Sequence, residues 1–158
     1  MTLTSVTVRP IEFNDVASWG SLRRQLWPHA SLTEHEREIT EMLSEPNRYA
    51  AFIAISQEGQ ALGFAEAAIR HDYVNGCGTS PVLFLEGVYV VPDARRRGVA
   101  KALFGRVEQW GALRGCEEFA SDTDVANIDV QTLHRALGFE ETERVVFFRK
   151  RTPRGTSD

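Results

Sequence analysis

The chain has 158 residues, 42% of them hydrophobic and 25% charged, which is enough apolar material for one ordinary globular core. A formal net charge of −4 argues against general nucleic-acid binding, and no window approaches the roughly 18 consecutive apolar residues of a membrane span. The two cysteines, Cys77 and Cys116, have neither metal-ligand spacing nor the density of a disulfide scaffold, so no metal is expected. The N-terminal stretch has no basic segment followed by an apolar one, which predicts a cytoplasmic protein.

In chain order, residues 4–9 alternate as a first strand closed by Pro10. Asn14 is placed to cap a helix whose inner face carries Val16, Trp19, Leu22 and Leu26, until Pro28 interrupts it. Thr33 and Glu36 have capping-box spacing and open a second helix with Ile39, Met42 and Leu43 as its apolar stripe. Residues 49–55 and 61–69 are apolar runs separated by Glu58-Gly59-Gln60, a hairpin signal. A turn-rich loop covers residues 71–81, and the most hydrophobic segment, 82–91, is a central strand interrupted by Glu86-Gly87, where a bulge is expected.

A helix over 99–114 follows, with Leu103, Val107 and Trp110 inward and Gly115 as its stop. A short strand at 118–121, a helix at 127–137 stopped by Gly138, and a last strand at 143–150 complete the pattern. It reads as one α/β (α+β) domain over residues 1–151 with a mixed, mostly antiparallel sheet and about four helices, followed by a disordered tail at 152–158.

The strongest local signal spans residues 85–100: a strand, a short turn, then Arg95-Arg96-Arg97-Gly98-Val99-Ala100 opening a helix. The first backbone N–H groups of a helix lack intrahelical partners and the macrodipole favours negative charge there, so this turn suits a pyrophosphate. Both G-x-x-x-x-G-K-S/T and G-x-G-x-x-G are absent, which excludes a P-loop and a dinucleotide fingerprint. Glu86 draws notice separately, because a carboxylate in an apolar strand is costly to bury unless it is paired or functional.

Arg95, Gly98 and Ala100 match Arg/Gln-x-x-Gly-x-Gly/Ala, and the chain thereby resembles the GNAT acetyltransferases over nearly its whole length. The resemblance implies acetyl-CoA as co-substrate and central strands that splay at a bulge. It puts the pantetheine arm against the backbone of Val88, Tyr89 and Val90, the pyrophosphate at Arg95, Arg96, Arg97, Gly98, Val99 and Ala100, and a further pantetheine contact at Asn127.

A finer resemblance, to aminoglycoside 6′-N-acetyltransferases, is carried by Gln25-Leu26-Trp27-Pro28, His71-Asp72-Tyr73-Val74-Asn75-Gly76-Cys77, Phe84-Leu85-Glu86-Gly87 and Ala120-Ser121-Asp122-Thr123. It implies acceptor contacts at Trp27, Tyr73, Glu86, Asp122 and Glu143. The chemistry agrees, since polycationic sugars are recognised by carboxylates and flat aromatic surfaces.

Direct transfer in a ternary complex follows from the same resemblance. Glu86 or Asp122 is the candidate base for the acceptor amine, and the Val88 N–H the candidate oxyanion donor. His134 stands where many GNAT enzymes carry a tyrosine acid, so either a general acid or a packing histidine is open there. Such enzymes commonly pair, and the apolar Val145-Val146-Phe147-Phe148 needs cover, so a homodimer is expected. A different amine acceptor or a non-catalytic acyl-CoA-binding module on this fold remain the alternatives, and neither a nucleic-acid nor a membrane partner is expected.

Overall fold

The apolar runs pair into one sheet in a computed structural model that describes residues 5–155. The strands β1 (Thr7–Pro10), β2 (Tyr49–Ile55), β3 (Ala61–Arg70), β4 (Val82–Val90) and β5 (Phe119–Ser121) lie in that spatial order. The first four pair antiparallel, and β5 joins β4 parallel. The helices are α1 (Val16–Leu26), α2 (Leu32–Ser44), α3 (Val99–Ala112) and α4 (Ile128–Ala136). Thr4 of the expected first strand and residues 156–158 of the expected tail lie outside the described residues.

The chain divides into two compact units, Met1–Asp122 and Thr123–Asp158. In the first, successive side chains of each strand point to opposite faces, and the two faces take different helices. Phe64 joins Trp19 and Leu22 of α1 and Ile39 of α2 in one cluster. On the other face Leu83 approaches Gly111 of α3, and Phe104 of α3 meets Phe119. Leu103 and Val107 of α3 are fully buried as the periodicity indicates, and Trp110 is half-buried.

Helix starts differ from the reading. The cap of α2 is Ser31, whose side chain accepts from Glu34 N at 3.1 Å while Glu34 reaches back to Ser31 N, so Thr33 and Glu36 lie inside the helix. Asn14 caps nothing. A 3-10 turn at Phe13–Asp15 leads into α1, and Asp15 is drawn to Arg9 of β1 at 2.6 Å.

The β4–β5 pairing runs from Leu83↔Phe119 to Leu85↔Ser121, whereas β4 continues beside β3 to the pair Gly63↔Val90. The central strands therefore part after Leu85. Among the described residues no helix is long and apolar enough to cross a membrane.

In the second unit α4 is capped by Asn127, whose Oδ1 accepts from Val130 N at 3.2 Å. The strand expected at 143–150 does not form, since the described residues from 139 onward carry no strand. A strand needs a partner's hydrogen bonds, and within this unit there is none to pair with. Glu141 instead takes Arg144 Nε at 2.5 Å and Arg135 at 3.4 Å, and Val145, Val146, Phe147 and Phe148 are left exposed.

Candidate active site

The site begins at a break in register. Glu66 pairs with Gly87 but its neighbour Ala67 pairs with Leu85, so Glu86 is an extra residue on β4, the bulge that Glu86-Gly87 suggested. The bulge falls where β5 leaves β4, and Asp122 follows directly on Ser121, the last residue paired there. Both candidate carboxylates thus flank one fork. The Glu86 side chain is turned outward and meets Arg70 Nη2 at 2.9 Å, while the Arg70 guanidinium lies 3.6 Å from the Phe84 ring centre. Burial of Glu86, the feature that drew attention to it, is not what the fold provides.

The carboxylate buried in an apolar strand is Glu66 of β3, 3% exposed. Its Oε1 accepts from Trp19 Nε1 at 2.7 Å and from Arg23 Nη1 at 2.5 Å. Burial pushes this carboxyl up to about 7, against the downward pull of Arg23 and Trp19. Arg23, itself 1% exposed, also donates through Nε to His35 Nδ1 at 3.2 Å and pairs through Nη2 with Glu38. One planar guanidinium thus serves three partners, as its fork allows and an ammonium's geometry does not.

This network forms the floor of a cleft of about 620 Å³ whose walls include Trp27, Glu38, Glu41, Tyr49 and Glu86. The Trp27 ring lies over the bulge: a Cβ at Gly87 would come within 2.5 Å of its Cη2 and Cζ2, so only glycine permits this seat. Carboxylates beside an indole face make a surface suited to ammonium groups on a flat ring.

Below the fork lies the turn into α3. Gly98 takes φ +81° at the helix N-cap and Arg96 φ +61°, both in the left-handed region. Arg95 turns back, donating from Nε to Val90 O at 2.8 Å with its guanidinium 5.5 Å from the Tyr89 ring centre. This braces the turn against the end of β4. The first N–H groups of α3 point at the turn, a geometry that fits an anion, and β4 beyond the fork presents backbone groups on the side away from β3 to an extended amide chain. An acetyl-CoA fits both features. Arg97 and Arg96 are exposed there, while Val99 is buried and anchors the helix start.

The remaining residues are dispersed. Tyr73 is 74% exposed on its loop and does not line the cleft. That loop is tied by Glu118, whose Oε1 accepts from Gly78 N at 2.9 Å and Thr79 N at 2.8 Å. His134, Asn127 and Glu143 belong to the second unit. There His134 Nδ1 lies 2.7 Å from Val130 O with its ring edge-on to Phe139, and Asn127 caps α4.

Sequence reasoning missed Arg23, His35, Glu38, Glu41 and Glu66. A signal for two of them existed: Glu66 interrupts the apolar β3 as Glu86 interrupts β4, and Arg23 falls one turn after Trp19 on the inner face of α1.

The acetyltransferase (GNAT) family model matches residues 16–139. An aminoglycoside N(6')-acetyltransferase type 1 from Serratia marcescens is 50% identical over 139 residues, covering 88% of this chain and 94% of the relative. That from Salmonella enteritidis is 51% identical over 144 residues, covering 91% and 98%. Among solved structures, AAC(6')-Iy in complex with the bisubstrate analog CoA-S-monomethyl-acetylneamine superposes with a TM-score of 0.90 at 49% identity, covering 94% of this chain and all of that one. AAC(6')-Ih from Acinetobacter baumannii gives 0.87 at 40% identity, covering 94% and 99%.

Proposed function

The chain belongs to the GNAT acetyltransferase family, and from that premise we propose that it acetylates the 6′-amine of aminoglycosides with acetyl-CoA, thereby conferring resistance to them. The carrying observation is the fork itself. A bulged carboxylate, Glu86, and an indole wall, Trp27, stand beside the parting of β4 from β5, and β4 leads on to a helix start whose geometry fits an anion.

In this reading the α3 turn, with Arg95, Arg96, Arg97, Gly98, Val99 and Ala100, takes the pyrophosphate, while the backbone of Val88, Tyr89 and Val90, with Asn127, takes the pantetheine arm. The acceptor lies against Trp27, Tyr73, Glu86, Asp122 and Glu143. Its amine arrives protonated, and Glu86 or Asp122, directly or through water, removes a proton so that the nitrogen lone pair can attack the thioester carbonyl. The N–C bond forms, the nitrogen gives up its second proton to water, the C–S bond breaks, and the departing thiolate takes a proton for which His134 is the candidate donor. The Val88 N–H stabilises charge on the carbonyl oxygen. No metal and no enzyme nucleophile take part.

The reading extends to one domain over residues 1–151, a cytoplasmic location and a homodimer. The family match across residues 16–139, which spans both compact units, supports the first. The exposed apolar run 145–148 supports the last, because such a segment calls for a partner strand. Release of CoA thiol from acetyl-CoA, followed with kanamycin, tobramycin, a polyamine and a lysine peptide in parallel, tests the function. Turnover confined to the aminoglycosides is expected. Turnover of the polyamine or peptide instead would reassign the acceptor, and binding without turnover would make the chain an acyl-CoA-binding module.

A further inference from the structure

Arg23 is the most heavily committed side chain of the first unit, and nothing in the transfer chemistry uses it. It is buried between α1, α2 and β3, bonded to Glu66 on one side and to Glu38 on the other. A buried arginine paired with a buried carboxylate is costly to assemble, and apolar residues of similar volume often pack as stably, so the network needs a reason beyond stability. The reason is visible in what surrounds Trp27. The Arg23 guanidinium lies 4.9 Å from the centre of the Trp27 ring. A guanidinium only donates, so the 3.2 Å contact from Arg23 Nε makes His35 Nδ1 the acceptor and leaves the ring proton on Nε2. That proton is aimed at the Trp27 carbonyl, 3.2 Å from Nε2. Arg23 therefore holds Trp27 twice, by its ring face directly and by its backbone through His35. The far atoms of the indole, Cη2 and Cζ2, lie against Gly87, where a Cβ would come within 2.5 Å of them, and Phe64 makes a T-shaped contact with the ring, the centres 6.1 Å apart.

We propose that Arg23 is a positioning residue for the acceptor, clamping the Trp27 indole against the Gly87 bulge so that it forms a fixed wall of the cleft beside Glu86. The proposal rests on the reading that the cleft receives the acceptor. Arg23 touches no reacting atom. Its effect is on how the acceptor is held, with cofactor binding untouched, because neither the α3 turn nor Val88, Tyr89 and Val90 is among the residues that line the cleft.

Two substitutions move the same ring through different contacts. Arg23→Lys keeps the charge but loses the planar fork, and Gly87→Ala leaves the network intact while its Cβ displaces the far atoms of the indole. Each is expected to raise the aminoglycoside KM about tenfold, with kcat changed less and the acetyl-CoA KM unchanged. In a Trp27→Phe background, which lacks the atoms that Gly87 accommodates, neither should add appreciably to the effect of Trp27→Phe alone. Incorporated 5-fluorotryptophan supplies a substrate-independent readout: of the three tryptophan resonances, the one lost in Trp27→Phe should shift in both variants. Additive effects in the Trp27→Phe background, or a stationary Trp27 resonance in an enzyme that does turn over aminoglycosides, overturns the clamp. A moving resonance in a wild-type protein that acetylates no aminoglycoside leaves the clamp standing and removes the acceptor reading instead.

Discussion

Two carboxylates on adjacent strands, Glu66 and Glu86, receive opposite environments from a single extra residue in β4. Glu86, turned out at the bulge, lines the cleft and is the proposed base for the acceptor amine. Glu86→Gln keeps its shape and removes its charge, so kcat should fall on the order of 10²-fold or more if it is the base. A rise in acceptor KM with kcat held would make it a binding residue only, and steady-state kinetics separate the two. Glu66 carries a different expectation. Its carboxyl is raised from 4.5 to about 7 by burial, with Arg23 and Trp19 opposing and Glu38 adding to the rise. Both donors converge on Oε1, an arrangement compatible with a proton on Oε2. Between those two values the folded state binds more protons than the unfolded one, so the stability this group contributes is fully present at low pH and is lost as pH rises through about 7. Differential scanning calorimetry should therefore show the melting temperature of the wild type falling relative to Glu66→Gln from pH 5 to pH 8. A constant difference would mean that the group does not titrate in that window.

The turn into α3 confines its prediction to one backbone angle. Gly98 stands at φ +81° where the anion is to lie, so Gly98→Val imposes strain on the left-handed cap and puts a side chain into the phosphate path. Acetyl-CoA affinity by calorimetry should drop, and unchanged affinity would remove the phosphate-site assignment. Elements of this kind were legible because local pattern suffices for them: β2 between Tyr49 and Ile55, the bulge at Glu86, and α3 from Val99 follow from an apolar run, an interrupted apolar strand and an inward stripe of Leu103 and Val107. The cap of α2 was misread because Ser31–Glu34 and Thr33–Glu36 share the same spacing, and only the fold chooses between them. The clamp was harder to read. An arginine on an apolar helix face looks solvated until its partners, twelve residues away at His35 and forty-three away at Glu66, are brought beside it. The 143–150 segment shows the complementary failure, since a short apolar run suits a strand but cannot supply the strand it pairs with.

At the scale of the whole molecule, the exposed Val145, Val146, Phe147 and Phe148 bear on assembly, and light scattering at micromolar concentration should give the mass of a homodimer; a monomer mass would remove that assignment. The acceptor's chemistry makes the sharper demand, because an aminoglycoside carries several amines and only one is to react. Carboxylates along the cleft, Glu38, Glu41 and Glu86, stand on two different elements, α2 and β4, and the indole of Trp27 shares the cleft with them. Such a wall selects by orientation: ammonium groups held by some carboxylates leave one amine at the fork, and the rate gained from holding a nucleophile at the reacting carbon falls steeply with small misplacement. The expected product is therefore acetylated at the 6′-nitrogen alone. An analogue with a 6′-hydroxyl keeps the remaining ammonium groups and should still bind, while accepting little or no acetyl group. Product analysis by mass spectrometry and NMR tests this, with the hydroxyl analogue run as a competitive inhibitor in parallel. Acetylation of any other ring amine, or efficient N-acetylation of the analogue, would mean that the cleft orients its acceptor differently from the 6′ reading, with the GNAT fold and the α3 turn unaffected.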